Sequence, residues 1–238
     1  PYWDFTNDHL DDDCLWTDDF MGGNGDPEDQ HIVKTGPFRA GEWELTVFDD
    51  YDAGPDFPTD ANLLPHLTRG FGSHPGGDRL PTYGEIITAL GIPTYDVEPW
   101  DETSNWTCSF RNYLEGWRVG TNPLQRGPHN LVHNWVGGRF GEHDGTAAQN
   151  GTSPNDPVFW LLHANVDRIW AEWTRRYGPQ YLPITEGHHP GQNLNDPMWP
   201  WFDVTPADLL DHHALGYRYD IEGPEAFPEA VTGGTMCL

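Results

Sequence analysis

The sequence predicts a mainly α protein with long loops and few short strands. Gly (27) and Pro (22) are so frequent that much of the chain must be loop. Apolar residues nevertheless recur at helical spacing in several segments. The 238 residues suffice for one domain with a real core, and the 13% of aromatic residues, 12 Trp among them, argue against disorder.

Residues 1 to 60 are acidic and rich in turn formers (NDHLDDD, GGNGDPED, DDYDAGPD), so long ordered loops with few short strands are expected there. Thr82 and Glu85 have the spacing of a capping box ahead of Ile86, Ile87 and Leu90, which predicts a short helix. Phe110, Tyr113, Leu114 and Trp117 predict a second, over 109–118. PHNLVHNWVGG predicts a third, from His129 to about residue 136, stopped by Gly137 and Gly138. In SPNDPVFWLLHANVDRIWAEWTRRYG, Asp156 is placed to cap and Pro157 to open the longest helix. That helix should run to about Tyr177 and end on Arg175 and Arg176, as its dipole prefers. Thr205 and Pro206 start a short fifth helix, and LGYRYD reads as a strand or extended segment. The expected division is a body over 1–220 and an acidic tail over 221–238.

Charge excludes some functions. Twelve basic residues against 38 acidic ones give −26, and Lys34 is the only lysine. Such a surface repels nucleic acid and anionic membranes. No apolar run approaches the roughly 20 residues needed to span a bilayer. The three cysteines, Cys14, Cys108 and Cys237, form neither a disulfide framework nor a zinc motif, although one disulfide is possible. Cellular location stays open between secreted and cytoplasmic.

His129 and His133 are one helical turn apart, so both rings can reach one metal ion. With 12 histidines, chance alone supplies about 0.6 such pairs, so spacing by itself is weak evidence. Three features add weight. Both lie in an apolar helix, where an unpaired imidazole is costly. His163 lies midway along the longest helix, and Asn165 and Asp167 are placed to orient its ring. Three imidazoles without thiolate or carboxylate suit copper, zinc or iron. Asn130 stands where a zinc protease of the HExxH type carries its glutamate, so that chemistry has no base.

These two motifs, with PYWDF, LWTDDFMGGNGDP, FRNYLEGWR, NLNDPMWPW and LGYRYD in the same order, resemble the second copper-binding half of the tyrosinase and catechol-oxidase family, the type-3 copper proteins. The likeness is closest to actinobacterial members and covers nearly the whole chain. It implies a four-helix-bundle dicopper fold in which His129, His133 and His163 ligate the second copper. It implies that Phe159 shields that copper, and that Glu115 and Asn130 hold a water that helps deprotonate monophenols. Asn134 matches a position that shapes substrate choice at the pocket mouth. The implied activity is oxidation of small phenols by O2, hydroxylating monophenols or taking o-diphenols to o-quinones, as in melanin formation. The same centre also serves oxygen-binding haemocyanins, and a single-copper fragment without activity is a further possibility.

The family's first-copper histidines lie upstream of the segment here written PYWDF, so that half is expected on a missing N-terminal segment or a companion chain, with a copper-delivery protein as a possible further partner. His66 and His74 lack helical context, and His9, His31 and His143 sit in acidic or glycine-rich loops. The pairs His188–His189 and His212–His213 read as solvated surface, without a metal. Two stretches, TNPLQRGP and RFGEHDGTAAQNGT, are longer than in compact bacterial members, and the second is expected near the pocket rim.

Overall fold

The computed structural model describes residues 1–7, 15–45, 65–117, 127–185, 187 and 191–228. Its regular structure is mostly helical: α1 (Tyr83–Leu90), α2 (Phe110–Glu115), α3 (Pro128–Gly137) and α4 (Val158–Tyr177), with short 3-10 segments. Strands are confined to two hairpins of two-residue strands, β1 (Gly25–Asp26) with β2 (Ile32–Val33) and β3 (Arg139–Phe140) with β4 (His143–Asp144), both antiparallel. The mainly α expectation holds. The chain divides into two compact units, one of Pro1–Leu80 with Leu131–His163, the other of Pro81–Asn130 with Ala164–Leu238.

In the first unit, long loops are tied down by polar anchors as well as by a core of Phe5, Val33, Leu67, Val132, Val136 and Leu162. Arg69 and Asp156 are both completely buried and form a two-pronged ion pair, Nε to Oδ2 and Nη2 to Oδ1, each 2.7 Å. A buried charge is costly unless its hydrogen bonds are complete, and Arg69 Nη1 also donates to the Met21 carbonyl at 2.8 Å. The same carboxylate caps α4 as the sequence predicts: Asp156 Oδ1 accepts from the Val158 N–H, and the helix opens just after Pro157. The loop after Arg69 lies flat on α3. Gly70 and Gly72 donate to the carbonyls of Val136 and Trp135, and Phe71 stacks on Trp135 with centroids 4.8 Å apart.

The second unit combines an aromatic and aliphatic core with buried polar groups of its own, among them Asp96, Asn112 and Glu172. The capping box of Thr82 and Glu85 is formed in full, and α1 buries Ile86, Ala89 and Leu90. Ser109 caps α2, which stops at Gly116 because that residue takes φ 100°, a left-handed conformation that glycine adopts without strain. The helix is thus shorter than predicted. Trp173 of α4 is fully buried, stacks on Phe110 at 4.7 Å and donates its indole N–H to the Ile92 carbonyl at 2.7 Å. Tyr177 closes the helix with a 3.1 Å bond to the Leu90 carbonyl. Arg175 and Arg176, expected at this end for the helix dipole, both also hold Glu172, at 2.7 and 2.6 Å.

The predicted fifth helix is a single 3-10 segment, Pro206–Leu209, with a formed capping box at Thr205. LGYRYD forms no strand: Leu215 and Gly216 lie in a turn, and residues 217–219 have no regular structure. Cys108 is disulfide-bonded, its partner lying outside the described residues. Among the described residues no helix is long and apolar enough to cross a membrane. His9, His188, His189 and the tail from residue 229 lie outside the described residues.

Candidate metal centre

Helix α3 exists because Pro128 pre-sets its first turn and Leu131, Val132, Trp135 and Val136 supply a buried stripe. Its end is fixed by a close approach: a Cβ on Gly137 would stand 2.3 Å from the Ala148 nitrogen, so only glycine lets the following loop return this near. That return brings the Ala147 carbonyl to 2.8 Å from His133 Nδ1. A carbonyl only accepts, so Nδ1 carries the proton and Nε2 is left with its lone pair. The stretch that the sequence places at a pocket rim therefore holds one of the histidines.

His163 comes from α4, and its Nε2 lies 3.2 Å from His133 Nε2. Phe159, one turn earlier, stacks on the His163 ring at 4.0 Å and meets His133 edge-on at 6.0 Å. His129 precedes His133 by one turn of α3, and its Nδ1 donates to Glu115 Oε2 at 3.0 Å. Each of the three histidines offers one ring nitrogen, and these lie within 4.8 Å of one another. All three residues are half-buried.

This donor set fits a metal of the copper or zinc kind. Ligands around an ion with bonds of about 2.0–2.1 Å stand about 3.3 Å apart in tetrahedral geometry, and the Nε2 atoms of His133 and His163 have that spacing. His129 and His133 each have the distal nitrogen engaged by a protein acceptor, the arrangement that fixes a ligating imidazole.

Other expectations fare differently. Asp167 and Asn165 do not orient His163. Asp167 accepts from the hydroxyls of Tyr217 and Tyr219, and Asn165 accepts from Arg168 at 3.2 Å. The carboxylate found partners about 50 residues away, which local spacing cannot reveal, while the amide found one three residues on along its own helix. Glu115 is not a fully buried acid, since its side chain is 35% exposed, and its carboxylate faces His129. Arg111 is engaged elsewhere, 2.6 Å from Asp96. Burial pushes the Asp96 carboxyl above its ordinary range against the opposing pull of Arg111. Asn134 donates to the Gly76 carbonyl at 3.2 Å. A Cβ on Gly77 would come within 2.6 Å of the Asn134 backbone, so the glycine-rich loop seats directly on this part of α3. Sequence reasoning missed the holding role of Ala147, because a backbone carbonyl leaves no residue signature.

A family model described as the common central domain of tyrosinase matches residues 1–176. The tyrosinase of Streptomyces lincolnensis is 42% identical over 225 residues, 93% of this chain and 70% of that protein. Grixazone synthase of Streptomyces griseus is 41% identical over 232 residues, covering 92% of this chain and 71% of its own length. The 5,6-dihydroxyindole-2-carboxylic acid oxidase of Homo sapiens is 32% identical over 252 residues, of which the chain spans 43% of the length. A three-histidine group on α3 and α4, a domain match over most of the chain and relatives above 40% identity agree: the chain belongs to the tyrosinase family of copper-dependent oxidoreductases that oxidise phenols.

Proposed function

We propose that His129, His133 and His163 hold the second copper of a tyrosinase-type pair, and that the chain contributes this half of a phenol-oxidising centre. The observation that carries the reading is the half-buried imidazole triad, with the distal nitrogens of two members occupied by Glu115 and Ala147. Among the described residues His129, His133 and His163 are the one all-histidine group, which supports reading the partner copper's ligands as lying outside them. Copper, when bound, supplies the O2 chemistry that hydroxylates monophenols or converts o-diphenols to o-quinones.

The chain's own residues set access and orientation. Phe159, stacked on His163, walls the centre on one side and limits the approach of a planar ring to the other. Asn134, tethered to Gly76, fixes the lip at which a phenol enters and gives the pocket its substrate preference. Glu115, held to His129, fixes the proton on that ring's Nδ1, and with Asn130 it orders the water that takes the phenolic proton. Glu115 therefore works first as a positioning residue in this reading.

The test uses the complete copper-loaded enzyme. His163→Asn should lose copper from this site and cut catechol turnover by at least 1,000-fold, on the order of the cost of removing an essential catalytic group. Unchanged copper content with undiminished turnover would refute the assignment.

A further inference from the structure

Within the second unit, the loop after the Pro206–Leu209 segment gathers metal-ligating groups that the phenol chemistry does not use. His212 Nε2 lies 3.3 Å from Glu222 Oε1, and His213 Nε2 lies 3.0 Å from Glu222 Oε2. The ligand atoms of all three residues lie within 4.8 Å of one another. The convergence is built into the backbone. Asp211 Oδ1 accepts from the N–H groups of His213 and Ala214, and the chain turns so that Tyr217 N–H reaches the His212 carbonyl at 3.3 Å. Gly216 takes φ 89° in this turn. The two imidazoles consequently lie side by side, tilted by 48° with 4.2 Å between centroids, rather than splayed as neighbours in a strand would be. On the other side, the Tyr219 N–H donates to Glu222 Oε1 at 2.8 Å and fixes the carboxylate before any ion arrives.

We propose that His212, His213 and Glu222 form a binding site for one divalent transition ion, zinc or copper(II). Two imidazole nitrogens and one carboxylate oxygen are a borderline donor set. It favours these ions over calcium or magnesium, which take oxygen ligands. The nitrogen–oxygen separations match neighbouring ligands around an ion with bonds of about 2.0–2.2 Å. With a net charge of −26, the chain also concentrates cations at its surface. His213 and Glu222 remain 42% and 32% exposed, so an ion has a path in and water can complete its shell.

The consequence is structural. The loop that this ion would close carries Tyr217 and Tyr219. Both hydroxyls bond Asp167 of α4, and Tyr219 also donates to the Ala164 carbonyl at 3.0 Å. An ion across His212, His213 and Glu222 locks the tyrosine clamp onto the helix.

The test is equilibrium dialysis of the full chain against Zn2+ and Co2+, comparing wild type with the double variant His212→Asn/His213→Asn and with Glu222→Gln. Wild type should retain one ion more than the double variant. The Co2+ spectrum of wild type minus that of the double variant should show a visible absorption band, since the His129, His133 and His163 group contributes equally to both. Glu222→Gln, which keeps the fold and both imidazoles, should weaken that ion at least tenfold. Equal stoichiometry in wild type and a folded double variant would overturn the proposal and leave only two hydrogen bonds to a carboxylate. Unchanged affinity in Glu222→Gln would overturn it as well, whether or not the double variant folds.

Discussion

The two ends of α4 belong to one helix and are held by different mixtures of charge and apolar packing. At its start, Asp156 is gripped by Arg69 in a fully buried ion pair, while Phe159 and His163 are half-buried and Trp160 is 65% exposed. At its end, Trp173 and Ile169 are buried in an aromatic and aliphatic core, and Trp173 spends its one polar group on the Ile92 carbonyl. The comparison teaches how a reactive site is kept both open and rigid. An apolar core cannot surround the face proposed to bind metal and admit substrate, so charge and hydrogen bonds fix that end. The far end, free of that demand, surrounds its buried Arg176–Glu172 pair with aromatic and aliphatic packing.

If this division is right, the largest loss should come at the polar anchor. Asp156→Ala strands the buried Arg69 guanidinium and removes a helix cap, and should destabilise the protein by about 3–5 kcal/mol; a denaturant melt that moves by less than about 1 kcal/mol would break the comparison. At the apolar end, Trp173→Phe keeps most of the ring but leaves the Ile92 carbonyl without its indole donor. A cost of about 1–3 kcal/mol is expected from the unpaired carbonyl and the lost volume, measured in the same melt. Glu115→Gln sharpens the picture at the centre. It should weaken copper at the triad by about 10–100-fold, the usual effect of losing a carboxylate behind a ligating histidine, with a thermal melt of the metal-free protein little changed. Smallest should be Thr82→Ala, at a cap remote from either end of α4, with a loss of about 0.5–2 kcal/mol and copper content unaltered.

How much of this was legible depends on how far apart the partners are in the chain. The box of Thr82 and Glu85, the cap at Asp156 and the glycine stop of α3 are contacts within a few residues, and their patterns predict the structure correctly. The pairing of His129 with His133 is likewise a matter of helical period. Arg69 and Asp156 are 87 residues apart, and nothing in either neighbourhood marks the other. Asp167 shows the same limit from the opposite side: its spacing suggests a service to His163, yet two tyrosines about 50 residues downstream claim the carboxylate. His212 and His213 read as solvated surface, and their convergence on Glu222 goes unseen, because a tight turn, not a helix or strand, brings the three together. Adjacent histidines have no shared face in any regular element, so periodicity gives them none.

The bond from His133 to the Ala147 carbonyl has an evolutionary consequence. Its acceptor belongs to the main chain, so no single-residue replacement at position 147 deletes it, and the tautomer of this ligand is buffered against point mutation. The vulnerability is to length instead. One residue inserted or removed between Gly145 and Ala147 would slide another carbonyl, or none, beneath the ring. Selection on this loop should therefore tolerate a varied alphabet while policing its indels, the reverse of what is expected of a surface connection.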